Sequence, residues 1–171
     1  MMKIFILILV ILFSGFPGLV LPDVLLGQWR YPREEDFKYD WATYRSEIPE
    51  PFHVTADFDG NGLMDSAWIL FSRIGPGWGL FAIMNESSHD ARIINLFKSE
   101  SEGAQYFGIQ ALPPGKYITA CGKGYWECSA LEPPEITLQN PGFSFFKYES
   151  ASTMYFWDKS INSFHEIAES D

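Results

Sequence analysis

The chain has 171 residues, 47% apolar and 20% charged, which is enough for one domain of ordinary size and excludes a disordered chain that lacks apolar surface to bury. Twelve Lys and Arg against 22 Asp and Glu give a net charge of −10, and no two basic residues are adjacent; this excludes a groove that must neutralise many phosphates. Two cysteines are too few for a cysteine-based zinc module.

At the N-terminus, Lys3 precedes an unbroken apolar run from Ile4 to Phe13, followed by Ser14, Gly15 and Pro17. A short positive region and a compact apolar stretch predict a secretory signal peptide over 1–21. The alternative is an uncleaved anchor, although Pro17 and Gly18 interrupt the span it would need. Both place residues 22–171, a single β-rich domain, outside the cytoplasm, in the periplasm or beyond the cell. In an oxidising compartment Cys121 and Cys128 are expected to form a disulfide. A redox pair would use the tighter Cys-x-x-Cys spacing.

Between Gln28 and Glu50 the residues Phe37, Trp41 and Tyr44 recur at helical spacing, which predicts one short helix or an extended arm lying on the body. Pro49 and Pro51 end it. The period then changes to two. Strands rich in aromatic and β-branched residues are predicted at 52–58, 66–73, 78–84, 92–97, 106–112 and 116–121. Four more follow at 135–139, 143–149, 153–158 and 163–169. Gly75-Pro76-Gly77, Pro113-Pro114-Gly115, Pro133-Pro134 and the stretch from Lys159 to Asn162 punctuate them. The expected fold is all-β, mainly an antiparallel meander folded into a sandwich or an incomplete barrel, with at most one short N-terminal helix. Most of the aromatic residues belong to its core.

One segment carries chemistry. Asp57-Phe58-Asp59-Gly60-Asn61-Gly62-Leu63-Met64-Asp65 places side-chain oxygens at loop positions 1, 3, 5 and 9. Gly62, at position 6, can adopt the positive φ that turns the loop back, and Leu63 can offer its backbone carbonyl. Hard oxygen donors converging on one point are the arrangement Ca²⁺ requires. Crowded carboxylates repel when empty and are reconciled by a divalent cation. The bland alternative is a tight turn made by Asp59-Gly60 and Asn61-Gly62, but a turn has no need of Asp57 and Asp65 at ligand spacing. An EF-hand is excluded, because position 12 is Trp68 instead of a bidentate Glu and the flanks have strand pattern, not helical pattern.

The segment DFDGNGLMDSAWILF resembles the FG-GAP (VCBS, integrin-α-like) calcium hairpin, D-x-[DN]-x-[DN]-G-x-x-D followed by an apolar strand, and matches it at every ligand position. The resemblance implies side-chain ligands at Asp57, Asp59, Asn61 and Asp65, with Leu63 contributing its carbonyl, inside a hairpin over 52–73. Members of that family usually carry several repeats arranged as a propeller. This chain has a single copy and is similar to small exported bacterial proteins with one such hairpin, so the propeller is not carried over.

The remaining candidates are weaker. His53, His89 and His165 have no metal-binding spacing, and no nucleophile motif occurs. Glu127, Glu132 and Glu135 are as well explained by an acidic composition as by an acid–base pair. The Cys121–Cys128 loop contains Lys123, Tyr125 and Trp126, a cation and two aromatics on a pre-ordered loop, the composition of a recognition surface; alternatively the rings fold inward over a sheet end. The expected function is a non-enzymatic, calcium-binding exported domain that binds another macromolecule. One alternative is a periplasmic inhibitor or immunity-type protein that blocks an enzyme. Another is an envelope hydrolase with an unrecognised site. The acidic charge suits a basic protein or an envelope enzyme as partner, and no nucleic acid.

Overall fold

The computed structural model describes residues 27–86, 88 and 91–170. The predicted leader over 1–21 and His89 lie outside the described residues. In chain order the elements are β1 (Trp29–Arg30), a 3₁₀ turn (Glu34–Asp36), α1 (Tyr39–Thr43), β2 (His53–Ala56), β3 (Asp65–Ser72), β4 (Trp78–Met84) and β5 (Arg92–Ser99). A second 3₁₀ turn (Ala104–Tyr106) leads into β6 (Phe107–Leu112) and β7 (Gly115–Ile118). The chain ends with β8 (Glu135–Leu138), β9 (Gly142–Lys147), β10 (Ser152–Asp158) and β11 (Ser163–Ser170). Among the described residues no helix is long and apolar enough to cross a membrane.

The protein is all-β and antiparallel, without a closed barrel. The first sheet runs β1-β3-β4-β5, with β2 also paired to β3; the second runs β11-β10-β9-β6; β7 and β8 form a separate ribbon. The β2–β3–β4–β5 and β9–β10–β11 runs are meanders. The β7–β8 ribbon interrupts the chain between β6 and β9, which are neighbours in the second sheet.

Alternation along the strands explains the packing. Trp78, Leu80, Ala82 and Met84 of β4 enter one core shared with Ala67 and Ile69 of β3 and with Ile109, Phe143, Tyr155 and Phe164 of the second sheet. The opposite face of the first sheet is covered too. There Phe81 and Leu70 are buried beneath Trp29, Tyr31, Trp68 and Ile93. Strand β4 is therefore buried along its whole length, as its continuous apolar sequence requires.

The predicted helix is a single short turn beginning at Tyr39, so Phe37 and Tyr44 flank it instead of sharing its face. Trp41 is its anchor: fully buried, it donates its indole N–H to the Phe107 carbonyl at 2.7 Å. Two details differ from the sequence reading. Strand β1 is too short to leave a pattern, and the strand predicted at 116–121 ends at Ile118. Thr119 and Ala120 leave the ribbon because their polar atoms find partners outside it. The Thr119 hydroxyl donates to the Pro133 carbonyl at 2.7 Å, and the Ala120 N–H donates to the Ala168 carbonyl of β11 at 2.9 Å.

Candidate functional site

The last pair of the β2–β3 ladder is Ala56 with Asp65, so residues 57–64 form the loop of a hairpin between two strands. Asp65 opens β3 with a fully buried carboxylate. It accepts the Phe58 N–H at 2.9 Å on one oxygen and the Asn85 N–H at 2.8 Å on the other. Asp57 stands at the loop's start and accepts backbone N–H groups from Gly60 (2.8 Å), Asn61 (3.0 Å) and Gly62 (2.9 Å). Three successive amides converging on one carboxylate wind the loop around it. That winding needs positive φ at Gly60 (74°) and Gly62 (86°), where a residue with Cβ is strained. At Gly60 a Cβ would also press to 2.7 Å from the Asn140 side chain.

The carboxylates of Asp57, Asp59 and Asp65 come together, with one oxygen of each within 4.8 Å of the others. Asn61 lies among them. Its amide nitrogen donates to Asp59 at 3.1 Å and to the Asn85 side-chain oxygen at 2.7 Å, and its side-chain oxygen accepts the Leu63 N–H at 2.7 Å. The Leu63 side chain points to solvent, consistent with a residue that has only backbone to offer. Trp68, at the position where an EF-hand has its glutamate, stacks on His53 at 3.7 Å and takes no part.

Burial pushes the Asp65 carboxyl above the ordinary aspartate range; the two N–H donors from Asn85 and Phe58 oppose this, and the charges of Asp59 and Asp57 add to it. Glu86 is likewise raised by burial, opposed by the Ser66 hydroxyl and reinforced by Asp65. Asp65 thus carries its charge at a cost to which Asp59 and Asp57 contribute, and a divalent cation at the oxygens would offset that cost. Asp57, Asp59, Asn61 and Asp65 are the side chains able to hold one.

The loop is pinned from below. Phe58, between two of the acids, is fully buried and packs on Phe143 and Phe164 of the second sheet, at 5.4 and 5.6 Å between centroids. Asn85 is the residue that sequence reasoning missed. It follows β4, lies 20 residues beyond Asp65, and takes a left-handed backbone (φ 53°) to reach back to the loop. No local spacing announces such a contact.

Cys121 and Cys128 are joined by a disulfide with 5.0 Å between Cα atoms. Gly122 is required there, because any Cβ would collide with the Pro134 carbonyl. Lys123 is a tether, not a free cation: its ammonium donates to the Glu169 carbonyl at 2.7 Å. Tyr125 and Trp126 do not fold inward. They are 51% and 40% exposed, and Leu131, which the sequence reading passed over, is 85% exposed. The Trp126 indole N–H donates to Glu132 at 2.8 Å, and Glu135 pairs with Lys116 at 2.7 Å, so these two glutamates have structural partners.

Against protein-family models, curated proteins and solved structures the chain finds no match. The functional reading therefore rests on the residues themselves.

Proposed function

We propose that the protein is a non-enzymatic, calcium-binding exported domain that engages another macromolecule through its stapled loop. The observation that carries the metal assignment is the convergence of Asp57, Asp59 and Asp65 within 4.8 Å on a hairpin loop of the FG-GAP pattern. Asn61 and the Leu63 carbonyl complete the oxygen set. The ion's role is structural: it holds a loop that lies between the two sheets. The disulfide and the leader-like N-terminus support export. The half-exposed Tyr125 and Trp126 on a loop closed by the disulfide support macromolecular recognition, since little entropy is lost when they dock.

A second reading, an inhibitor or immunity-type protein, draws on that same loop together with the net charge of −10, which favours a basic enzyme as target. Titration calorimetry of the purified chain with Ca²⁺ tests the first element, with saturable heat expected at dissociation constants of about 10⁻⁴–10⁻³ M; no heat at millimolar calcium refutes it. Affinity capture from the native envelope, comparing wild type with Trp126→Ala, tests the second. A partner retained equally by the variant removes the loop from the interface.

A further inference from the structure

A second concavity shares no residue with the acidic loop or the stapled loop. It is a cleft of about 320 Å³ where the N-terminal segment crosses the end of the first sheet, at the small end of the range for ligand sites. Its rim carries two tyrosines, Tyr39 at 57% exposure and Tyr106 at 39%, with ring centroids 5.1 Å apart and planes inclined by 33°. At that distance and tilt the rings overlap partly face to face, and the pair presents its outer face to solvent as a shallow aromatic platform.

The platform is held in place from behind. Trp41, two residues after Tyr39, is buried and hydrogen-bonded to the Phe107 carbonyl, and Phe107 directly follows Tyr106. The Tyr106 carbonyl in turn accepts the Tyr148 N–H at 3.0 Å. Both rings thus hang from a common anchor. Tyr39 also has φ 52°, a backbone conformation that a bulky residue adopts only where its surroundings impose it. Rings fixed before a ligand arrives lose little freedom on binding it.

The charges lining the cleft cancel. Arg30 grips Asp36 with two hydrogen bonds of 2.6 and 2.9 Å, and Asp36 also accepts the Arg33 N–H at 2.7 Å. Lys38 and Glu102 oppose each other in sign, and Gln105 is neutral. Such a lining favours neither an anion nor a cation, yet it offers donors and acceptors around the aromatic pair. The matching ligand is uncharged, has a flat C–H face, and carries hydroxyls around its edge.

We propose that this cleft binds a neutral saccharide, one sugar face lying on the outer face of the Tyr39–Tyr106 pair and its hydroxyls meeting Lys38, Glu102 and Gln105. The proposal does not depend on an ion in the acidic loop.

The test is an amide-resolved NMR titration of the purified chain with cello-, malto-, xylo- and chito-oligosaccharides at about 10 mM, in the weak-binding range expected of a shallow site. At least one series shifts the amides of Lys38, Tyr39, Gln105 and Tyr106, and chelator leaves the titration unchanged. Tyr39→Ala and Tyr106→Ala each weaken binding about tenfold. Gln105→Ala, which removes no buried ring, weakens it several-fold and keeps the test valid if an aromatic variant fails to fold. The proposal is overturned if no series moves these amides, if the variants bind as wild type does, or if a sulfated disaccharide or inorganic phosphate moves them more strongly than every neutral sugar. Loss of sugar binding on chelation would also overturn it in this form, whereas absence of calcium binding alone would leave it standing.

Discussion

Asp59→Asn separates a metal loop from a mere turn, because the two predict opposite signs. One oxygen each of Asp57, Asp59 and Asp65 lies within 4.8 Å of the others. At that separation each pair repels by about 0.9 kcal/mol in water and about 3.5 kcal/mol at an effective dielectric of about 20. Removing the charge at 59 abolishes two of the three pairs. Asp59 is partly solvated, so the aqueous limit applies and the relief is roughly 1–2 kcal/mol. Asp59 accepts two exposed hydrogen bonds, from the Asn61 N–H and the Asn61 side chain, of which the single oxygen of asparagine keeps the first and loses the second. The net gain without metal is on the order of 1 kcal/mol, a rise of roughly 2–4 °C in Tm for a domain of this size.

With calcium the order inverts. A site with a dissociation constant of about 10⁻⁴–10⁻³ M gains about 1.4–2.7 kcal/mol at about 10 mM calcium, or roughly 4–10 °C. The variant keeps an amide oxygen at 59 but lacks one ligand charge, so it gains less. Thermal unfolding of both proteins in chelator and then in excess calcium should therefore give crossing results: the variant is the more stable protein in chelator and the less stable one in calcium. Equal calcium responses, or a variant already less stable in chelator, would refute the charge-crowding argument and return the loop to a turn.

Further outcomes are expected elsewhere. Reducing the Cys121–Cys128 bridge, or replacing both cysteines by Ser, should cost about 2–3 kcal/mol for so short a loop, read as a lower midpoint in urea; an unchanged midpoint would mean the bridge constrains nothing. Phe58→Ala empties a fully buried ring site and should cost about 3–5 kcal/mol. The same variant should bind calcium more weakly in calorimetry, since the backbone of Phe58 also donates to Asp65. Burial holds the His53 imidazole below its ordinary value of 6.5, despite Glu50 at 3.8 Å. The unfolded chain then takes up the proton first, so this contribution is complete above the ordinary histidine value and is lost as pH falls below it. Urea unfolding should show His53→Phe losing less stability than wild type between about pH 7 and pH 5; parallel losses would assign the acid sensitivity to other groups.

The strands were legible because their patterning is local. Ten runs of alternating or continuous apolar residues, broken by Gly, Pro and Asn, become β2 to β11 with ends shifted by a few residues. The acidic loop was legible for the same reason, since the residues from Asp57 to Asp65 are consecutive. What escaped depends on contacts between distant segments. Strand β1 is two residues long and exists because Trp29 and Arg30 find Ser72 and Phe71. The early end of β7 follows from hydrogen bonds to Pro133 and Ala168, which no period encodes. Asn85 lies outside the consecutive acidic segment, while in the fold its N–H and its side-chain oxygen both serve the acidic loop. Whether Tyr125 and Trp126 would face solvent was open in the sequence, because a stapled loop can close either way. The Ala120 and Lys123 bonds to β11 decide it by laying the loop's base along that strand.

Phe58 explains why a single acidic loop can matter to the whole domain. A loop that merely joined β2 to β3 could rearrange without consequence for the second sheet. Here the residue between Asp57 and Asp59 is driven into the shared core against Phe143 and Phe164, while its N–H binds the buried Asp65 carboxylate. Gly60 packs on Asn140, in the link between β8 and β9. Displacing the carboxylates therefore means either withdrawing an aromatic ring from the core or stretching a buried hydrogen bond, both costly. The acids are held close together by packing energy, and the repulsion they store is available to any cation that enters. A loop pinned in this way is pre-organised for the cation proposed above: its binding would not have to order the chain, and modest affinity would be enough to lock the junction between the two sheets.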